Sequence, residues 1–162
     1  MPFIVRWRGR TSAGKVDDTS IVAGVDWLPS VCALAGVKPP ADLKSDGEDM
    51  SAAFLGKPRQ RSRPLMWEWR FRVHGDMAHK CPMLAIREGK WKLLLNPDRS
   101  RLELYDIPND PTEVDNVAIQ FPDVVKRLSE KVLKWQKELP PGPVEPSAGS
   151  NAYPWPKGRQ GG

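Results

Sequence analysis

The sequence predicts an α+β fold in which a small antiparallel sheet packs against one long C-terminal helix. Three patterns carry that expectation. From Met66 to Val73, Trp67, Trp69, Phe71 and Val73 alternate with Glu68, Arg70 and Arg72, the period of two of a half-buried strand. Met83 to Arg87 and Lys90 to Leu95 are two further β-favouring runs separated only by Glu88-Gly89, which suits a tight hairpin. Near the end, Val125, Leu128, Val132, Trp135 and Leu139 recur at spacings of three and four, the stripe of an amphipathic helix.

Taken in order, Phe3 to Trp7 is a short apolar run ended by Arg8-Gly9, and reads as a strand buried in a larger sheet with neighbours on both sides. After a polar loop from Arg10 to Thr19, a helix is expected from Asp26 to Ala35, with Leu28, Val31, Cys32 and Ala35 on one face. Pro29 is tolerated in its first turn, Asp26 is expected to cap its start, and Gly36 suits a left-handed stop. Val37 to Arg63 is mostly loop, with Lys38-Pro39-Pro40, an Asp46-Gly47 turn and one short helix at Met50 to Leu55.

In the second half, Leu102 to Tyr105 follows the Asn96-Pro97-Asp98 turn and extends the meander. Asp110, Pro111 and Glu113 have the order of an N-cap, a first helical residue and a capping-box acid, so a single helical turn is expected there. The last helix should run from Pro122 to Leu139 and be stopped by Pro140-Pro141. These elements divide the chain into residues 1–57, residues 58–139 and a Pro- and Gly-rich tail, 140–162.

The 162 residues include 17 Pro and 13 Gly, yet 40% are hydrophobic, so a loop-rich globular piece is expected rather than a disordered one. The longest apolar stretch, Ile21 to Val37, is broken by Gly24, Asp26 and Pro29 and falls short of the roughly 20 residues of a membrane span. The net charge of +5 comes from basic residues spread among 20 acids, and no nucleic-acid motif accompanies it, so neither a membrane nor a nucleic acid is expected as partner. Met1 is followed at once by Pro2 and the PFIVRW run, a pattern without the regions of an export signal. Cys32 and Cys81 match no metal-site spacing and no disulfide framework, so the compartment stays open.

The motifs PFIVRW, Asp26 with Pro29, Ser30, Ala35 and Gly36, Asp46-Gly47, Arg87-x-Gly89-x-Trp91-Lys92-Leu93, Leu104-Tyr105-Asp106, and Asp110-Pro111 with Glu113 and Asn116 occur in fixed order across residues 2–139. Together they resemble the C-terminal portion of a sulfatase of the arylsulfatase and N-acetylgalactosamine-6-sulfatase kind, within the alkaline-phosphatase-like superfamily. Ser30 stands where that family commonly has Thr. The resemblance implies that residues 1–57 are the end of the sulfatase α/β domain and that residues 58–139 are its smaller C-terminal subdomain. It also implies hydrolysis of sulfate esters, of a sulfated sugar or an aryl sulfate, by a formylglycine made from Cys or Ser in a Cys/Ser-x-Pro-Ser-Arg motif beside a calcium ion. That chemistry is sound, since a hydrated aldehyde supplies a nucleophilic oxygen and a hard cation offsets charge on the sulfate. The motif occurs nowhere in this sequence. In the family the nucleophile, the metal ligands and the Lys and His near the sulfate precede the segment like PFIVRW. The implied partner is therefore an N-terminal sulfatase segment, and no catalytic or metal-ligating residue is assigned here. Such proteins are commonly exported.

Cys32-Ala-Leu-Ala and Cys81-Pro-Met-Leu both fail the formylglycine pattern, and Asp17-Asp18, ahead of Thr19-Ser20, reads as a turn rather than a metal site. Three residues are singled out for substrate binding. Arg70 offers a guanidinium fork that suits sulfate oxygens as it suits phosphate, and His74 and His79 share a loop with Gly75, Asp76 and Lys80 that could meet an anionic sugar. The stripe of Trp67, Trp69 and Phe71 is read as core, with a sugar-stacking platform as the alternative. A non-catalytic module that binds sulfated polysaccharide is the competing function.

Overall fold

The computed structural model describes residues 3–71, 81–144, 146, 148 and 149. The chain forms two compact units, Met1–Arg63 and Pro64–Gly162. The first unit extends beyond residue 57 because the segment that follows is tied back into it. Arg61 Nη1 donates to Asp26 Oδ2 at 2.5 Å, the Ser62 N–H to Glu48 Oε1 at 2.9 Å, and Arg63 Nη1 to the Ser45 carbonyl at 2.8 Å.

In the first unit a single 3-10 turn, Gly24–Asp26, leads into helix α1, Trp27–Ala35, and a four-residue helix α2 follows at Ser51–Phe54. Gly36 adopts φ 69° and closes α1 with the paired hydrogen bonds of a Schellman motif, Gly36 N–H to Ala33 and Val37 N–H to Cys32. Ser30 is buried and its Oγ accepts the Met50 N–H at 2.8 Å, which ties α1 to the residue before α2. Asp26 holds the N-cap position but does not cap the helix with its side chain. Its two oxygens are already taken by the N–H groups of Ala23 and Glu48 and by Arg61, so the expected cap is instead the centre of a network. Gly47 is required by close approach: a Cβ there would overlap the Val25 carbonyl and lie 2.8 Å from the Asp26 nitrogen.

Phe3 to Trp7 does not form the expected strand. A strand needs a neighbour to take its backbone hydrogen bonds, and among the described residues this unit contains only helices, turns and loops. The segment packs by side chains instead, Phe3 lying 5.1 Å from Phe54 and 6.5 Å from Trp27 between ring centroids.

In the second unit four antiparallel strands run in sequence order: β1 Leu65–Glu68, β2 Leu84–Glu88, β3 Trp91–Leu95 and β4 Glu103–Asp106. The tight turn between β2 and β3 places Gly89 at φ 58°, a conformation that glycine adopts without strain. Helix α3, Pro122–Glu138, has Pro122 at its start, where a missing N–H costs nothing. Its Leu128 and Val132 are fully buried against Leu84, Ile86, Leu93, Leu95 and Leu104, and Trp135 and Val125 pack around them. Asn116 finishes the outer edge of β4, its Oδ1 accepting the Leu104 N–H at 3.0 Å and its Nδ2 donating to the Leu102 carbonyl at 3.1 Å.

Two expectations change here. The alternation around β1 is present, but its sense is reversed: Trp67, Trp69 and Phe71 are about half exposed, whereas the Glu68 side chain is only 7% exposed. The reason is that α3 covers the face bearing Met66 and Glu68, and Glu68 is satisfied there by Gln136 Nε2 at 2.6 Å and Arg70 Nε at 2.5 Å. The residues from Asp110 form a turn, not a helix. Asp110 still caps, accepting the N–H groups of Val114 and Asp115, while Glu113 takes φ 57° and turns to Lys92.

Candidate functional site

Of the three residues expected to meet an anionic sugar, Arg70 is described, and His74 and His79 lie outside the described residues. Arg70 follows β1 and is engaged within the chain, its Nε on Glu68 and its Nη1 on the Pro140 carbonyl at 3.1 Å. With Glu68, Gln136 and Pro140 it lines a groove of about 290 Å³. Those contacts describe a tie between β1 and the end of α3, with the guanidinium already holding two acceptors.

The strand register defines a second cluster on the opposite side of the sheet. Leu65 lies opposite Arg87, Arg87 opposite Lys92, and Lys92 opposite Tyr105, while Trp67 lies opposite Ala85. The alternate residues Met66, Ile86, Leu93 and Leu104 face α3, so Arg87 and Lys92 stand side by side on the face away from it. Two like charges directly opposite are unfavourable unless countered. Lys92 Nζ is countered by both oxygens of Glu113, at 2.7 and 2.6 Å. Arg87 is half-buried, makes no ion pair among the described residues, and keeps a buried Nε without a hydrogen-bond partner. Burial lowers the pKa of its guanidinium, with the charge of Glu113 acting in the opposite sense. Diagonal to Arg87 stands Trp67, 45% exposed, and beyond the end of β1 Trp69 and Phe71 follow, their rings meeting edge to face at 6.1 Å. All of these residue types were visible in the sequence, but only the register places Trp67, Arg87 and Lys92 on one face.

Two buried carboxylate clusters complete the titratable groups of interest. On β4, Glu103 is 2% exposed and lies 3.5 Å from Arg101 Nη2 and 3.5 Å from the Tyr105 hydroxyl. Burial raises its pKa to about 7, against the opposing pull of Arg101. In the first unit, burial works to raise the pKa of Asp26, but Arg61 and the N–H groups of Glu48 and Ala23 outweigh it and hold the carboxyl below its ordinary value. Burial acts on Glu48 in the same way and is likewise overcome, by hydrogen bonds from Ser62 and Arg63.

The described residues do not supply a site for the calcium ion that the sulfatase resemblance implies. Among the described residues, no three His, Cys, Asp or Glu side chains converge in a way that could hold a metal ion. Asp17 forms the expected turn instead, its Oδ1 accepting the N–H groups of Thr19 and Ser20. Cys32 is a buried free thiol of α1, and Cys81 is a free, half-buried one. Among the described residues, no helix is long and apolar enough to cross a membrane.

A family model described as "N-sulphoglucosamine sulphohydrolase, C-terminal" matches residues 1–138. The chain belongs to this family and corresponds to the C-terminal region of sulfatases. It is similar to the N-acetylgalactosamine-6-O-sulfatase of Bacteroides thetaiotaomicron, 29% identical over 80% of this chain and 26% of that protein. It is also similar to arylsulfatase K of Bos taurus, 27% identical over 70% of this chain and 22% of the relative. Among solved structures it resembles Ps i-CgsB in complex with k-i-k-neocarrahexaose, with a TM-score of 0.58 and 25% identity over 79% of this chain and 27% of that one. The chain thus spans about a quarter of the length of the curated relatives it matches. The small antiparallel sheet with its packed helix matches the sulfatase C-terminal fold.

Proposed function

We propose that the chain serves as the C-terminal region of a sulfuric ester hydrolase acting on a sulfated sugar or an aryl sulfate, and that alone it does not hydrolyse sulfate esters. The observation that carries this reading is a combination: a match to the sulfatase C-terminal family over residues 1–138, in a sequence without Cys/Ser-x-Pro-Ser-Arg, spanning 26% of a sulfatase relative. In this reading the nucleophile and the calcium ligands belong to sequence of the kind that precedes this region in sulfatases. The present residues contribute the subdomain built on β1–β4 and α3, together with whatever that subdomain presents to substrate.

A chimera tests it. The matching region of the Bacteroides N-acetylgalactosamine-6-O-sulfatase is replaced by residues 1–139 of this chain, and turnover is compared with that of the same enzyme ending before the junction. The expected outcome is sulfate release by the chimera and none by the shortened enzyme. A chimera that is folded and loaded with calcium, yet as inactive as the shortened form, would refute the reading.

A further inference from the structure

We propose that a groove of about 400 Å³ beside the N-terminal half of α3 binds an aliphatic carboxylate, with the apolar chain in the groove and the carboxylate on Arg99 and Lys126. The site lies within the second unit and does not rest on the sulfatase reading. Its apolar walls are Leu102, just ahead of β4, Ala118 and Ile119 of the following loop, and Pro122 and Val125 of α3. Ile119 is 96% exposed and Leu102 37%, so the groove is open to solvent. A volume of this size falls within the range of small-molecule sites, which are mainly apolar with a few polar groups that fix orientation.

The charge at the groove is one-sided. Arg99, on the turn between β3 and β4, and Lys126, on α3, both line it, and no acid among the described residues does. Neither cation forms an ion pair with another described residue. The acids nearest in sequence are Asp98, whose Oδ1 accepts the Ser100 N–H, and Asp123 and Glu130 of α3. Long cationic side chains of this kind lay their methylene stems on apolar surface and hold the charge at the rim. Arg99 is also held at φ 63°, a backbone conformation that a residue with a Cβ adopts at a cost. The turn enforces it: the Arg99 N–H donates to the Asn96 carbonyl at 2.9 Å, the Asn96 N–H to the Ser100 carbonyl at 2.9 Å, and Asn96 Nδ2 to Ser100 Oγ at 3.0 Å. Glycine would take that conformation without strain, so the arginine stands there against the local backbone preference.

The ligand class follows from what the groove offers and lacks. Asn116, the amide that lines it, is fully used, its Oδ1 accepting the Leu104 and Ala118 N–H groups and its Nδ2 donating to the Leu102 carbonyl. Ser129, 2% exposed, can turn its hydroxyl to a carbonyl of the preceding helical turn. A peptide would therefore bring backbone amides that find no partner among these side chains. A small hydrophilic anion would leave the apolar walls wet, and an uncharged apolar molecule would gain nothing from the two cations. An aliphatic carboxylate uses both.

The test is isothermal titration of the full chain with decanoate, kept below the concentration at which it forms micelles, at near-physiological salt. Decanol and acetate are titrated in parallel. The expected result is saturable binding of decanoate at one site per chain, about 10-fold weaker binding of decanol, and none of acetate. Arg99→Gly and Lys126→Gln should each weaken decanoate by about 5-fold and leave decanol unchanged. Ile119→Ser, at an exposed position, should weaken decanoate and decanol alike. Arg99→Gly also relieves the backbone, so its melting midpoint should equal or exceed that of the parent while its binding falls, which separates a lost contact from lost folding. Arg127→Gln removes a charge from α3 where Arg127 pairs with Glu88, and should bind as the parent does. Three results would overturn the proposal: no saturable binding by the folded parent, decanol binding as tightly as decanoate, or equal losses in Lys126→Gln and Arg127→Gln. Binding to anionic phospholipid vesicles in place of decanoate would assign the patch to a lipid surface and overturn it as well.

Discussion

Glu103 carries the most direct consequence for pH. Its pKa of about 7 lies above the value of about 4.5 for an unfolded glutamate, so the folded state holds a proton that the unfolded state has released between those two values. Stability therefore falls as pH rises from about 4.5 to 7, by about 3 kcal/mol in all if the full shift is realised. Glu103→Gln should flatten that slope, so that the midpoint of thermal unfolding drops less between pH 5 and pH 8 than in the parent. An unchanged slope in the variant would place the titration elsewhere. Asp26 acts in the other direction and in another window: its lowered pKa contributes stability that is present at neutral pH and lost as pH falls below about 4. Its partner Arg61 is 5% exposed at the side chain. Arg61→Met would leave a buried carboxylate without its cation and should destabilise the first unit by about 3–5 kcal/mol, read in urea unfolding. What the sequence displays at this scale is the residue type, not its partner. Asp26 was legible as the residue before a helix, whereas its role as acceptor for Ala23, Glu48 and Arg61 depends on contacts 22 and 35 residues away. Arg87, Lys92 and Glu113 are visible as motif residues, but their grouping needs a strand register that no local spacing encodes.

At the scale of elements, the hairpin of β2 and β3 and helix α3 were the most legible, because the periods of 2 and 3.6 are strong and their ends are marked by Gly89 and Pro122. The packing they predict is testable. Leu128→Ala removes a fully buried side chain from between α3 and the sheet and should cost about 2–5 kcal/mol, seen as a lower denaturation midpoint with an unchanged dependence on denaturant. Gly47→Ala forces a Cβ into the Val25 carbonyl, so the backbone must shift, and the loss should exceed the roughly 1 kcal/mol of an ordinary glycine replacement. β1 shows where period alone falls short. Alternation separates two faces but does not say which one the helix covers, and a buried Glu68 paired with Arg70 and Gln136 outweighs the bias that places aromatics inside. The strand expected at Phe3 to Trp7 carries the composition of a sheet interior, and composition cannot supply the neighbouring strands that pairing needs.

At the scale of the whole molecule, the first unit leaves large apolar side chains in solvent: Phe3 is 54% exposed, Ile4 87%, Val16 91%, Trp27 57% and Val37 56%. Of these, Phe3 and Trp27 are in ring contact, 6.5 Å between centroids, and a contiguous exposed apolar patch marks an interaction surface more often than a free one. The chain should accordingly bind an environment-sensitive hydrophobic dye in its folded state, and a folded, monomeric chain that binds none would count against this description. The second unit has a closed core from Leu84 to Val132 between sheet and helix.

This chain corresponds to the C-terminal region of sulfatases, and we infer that it does not carry out the chemistry alone. The most direct test of that inference is the rate of aryl sulfate hydrolysis by the purified chain, with calcium present, over a series of protein concentrations. The expected rate is indistinguishable from buffer at every concentration. Hydrolysis rising in proportion to the chain, and surviving repeated purification, would contradict it.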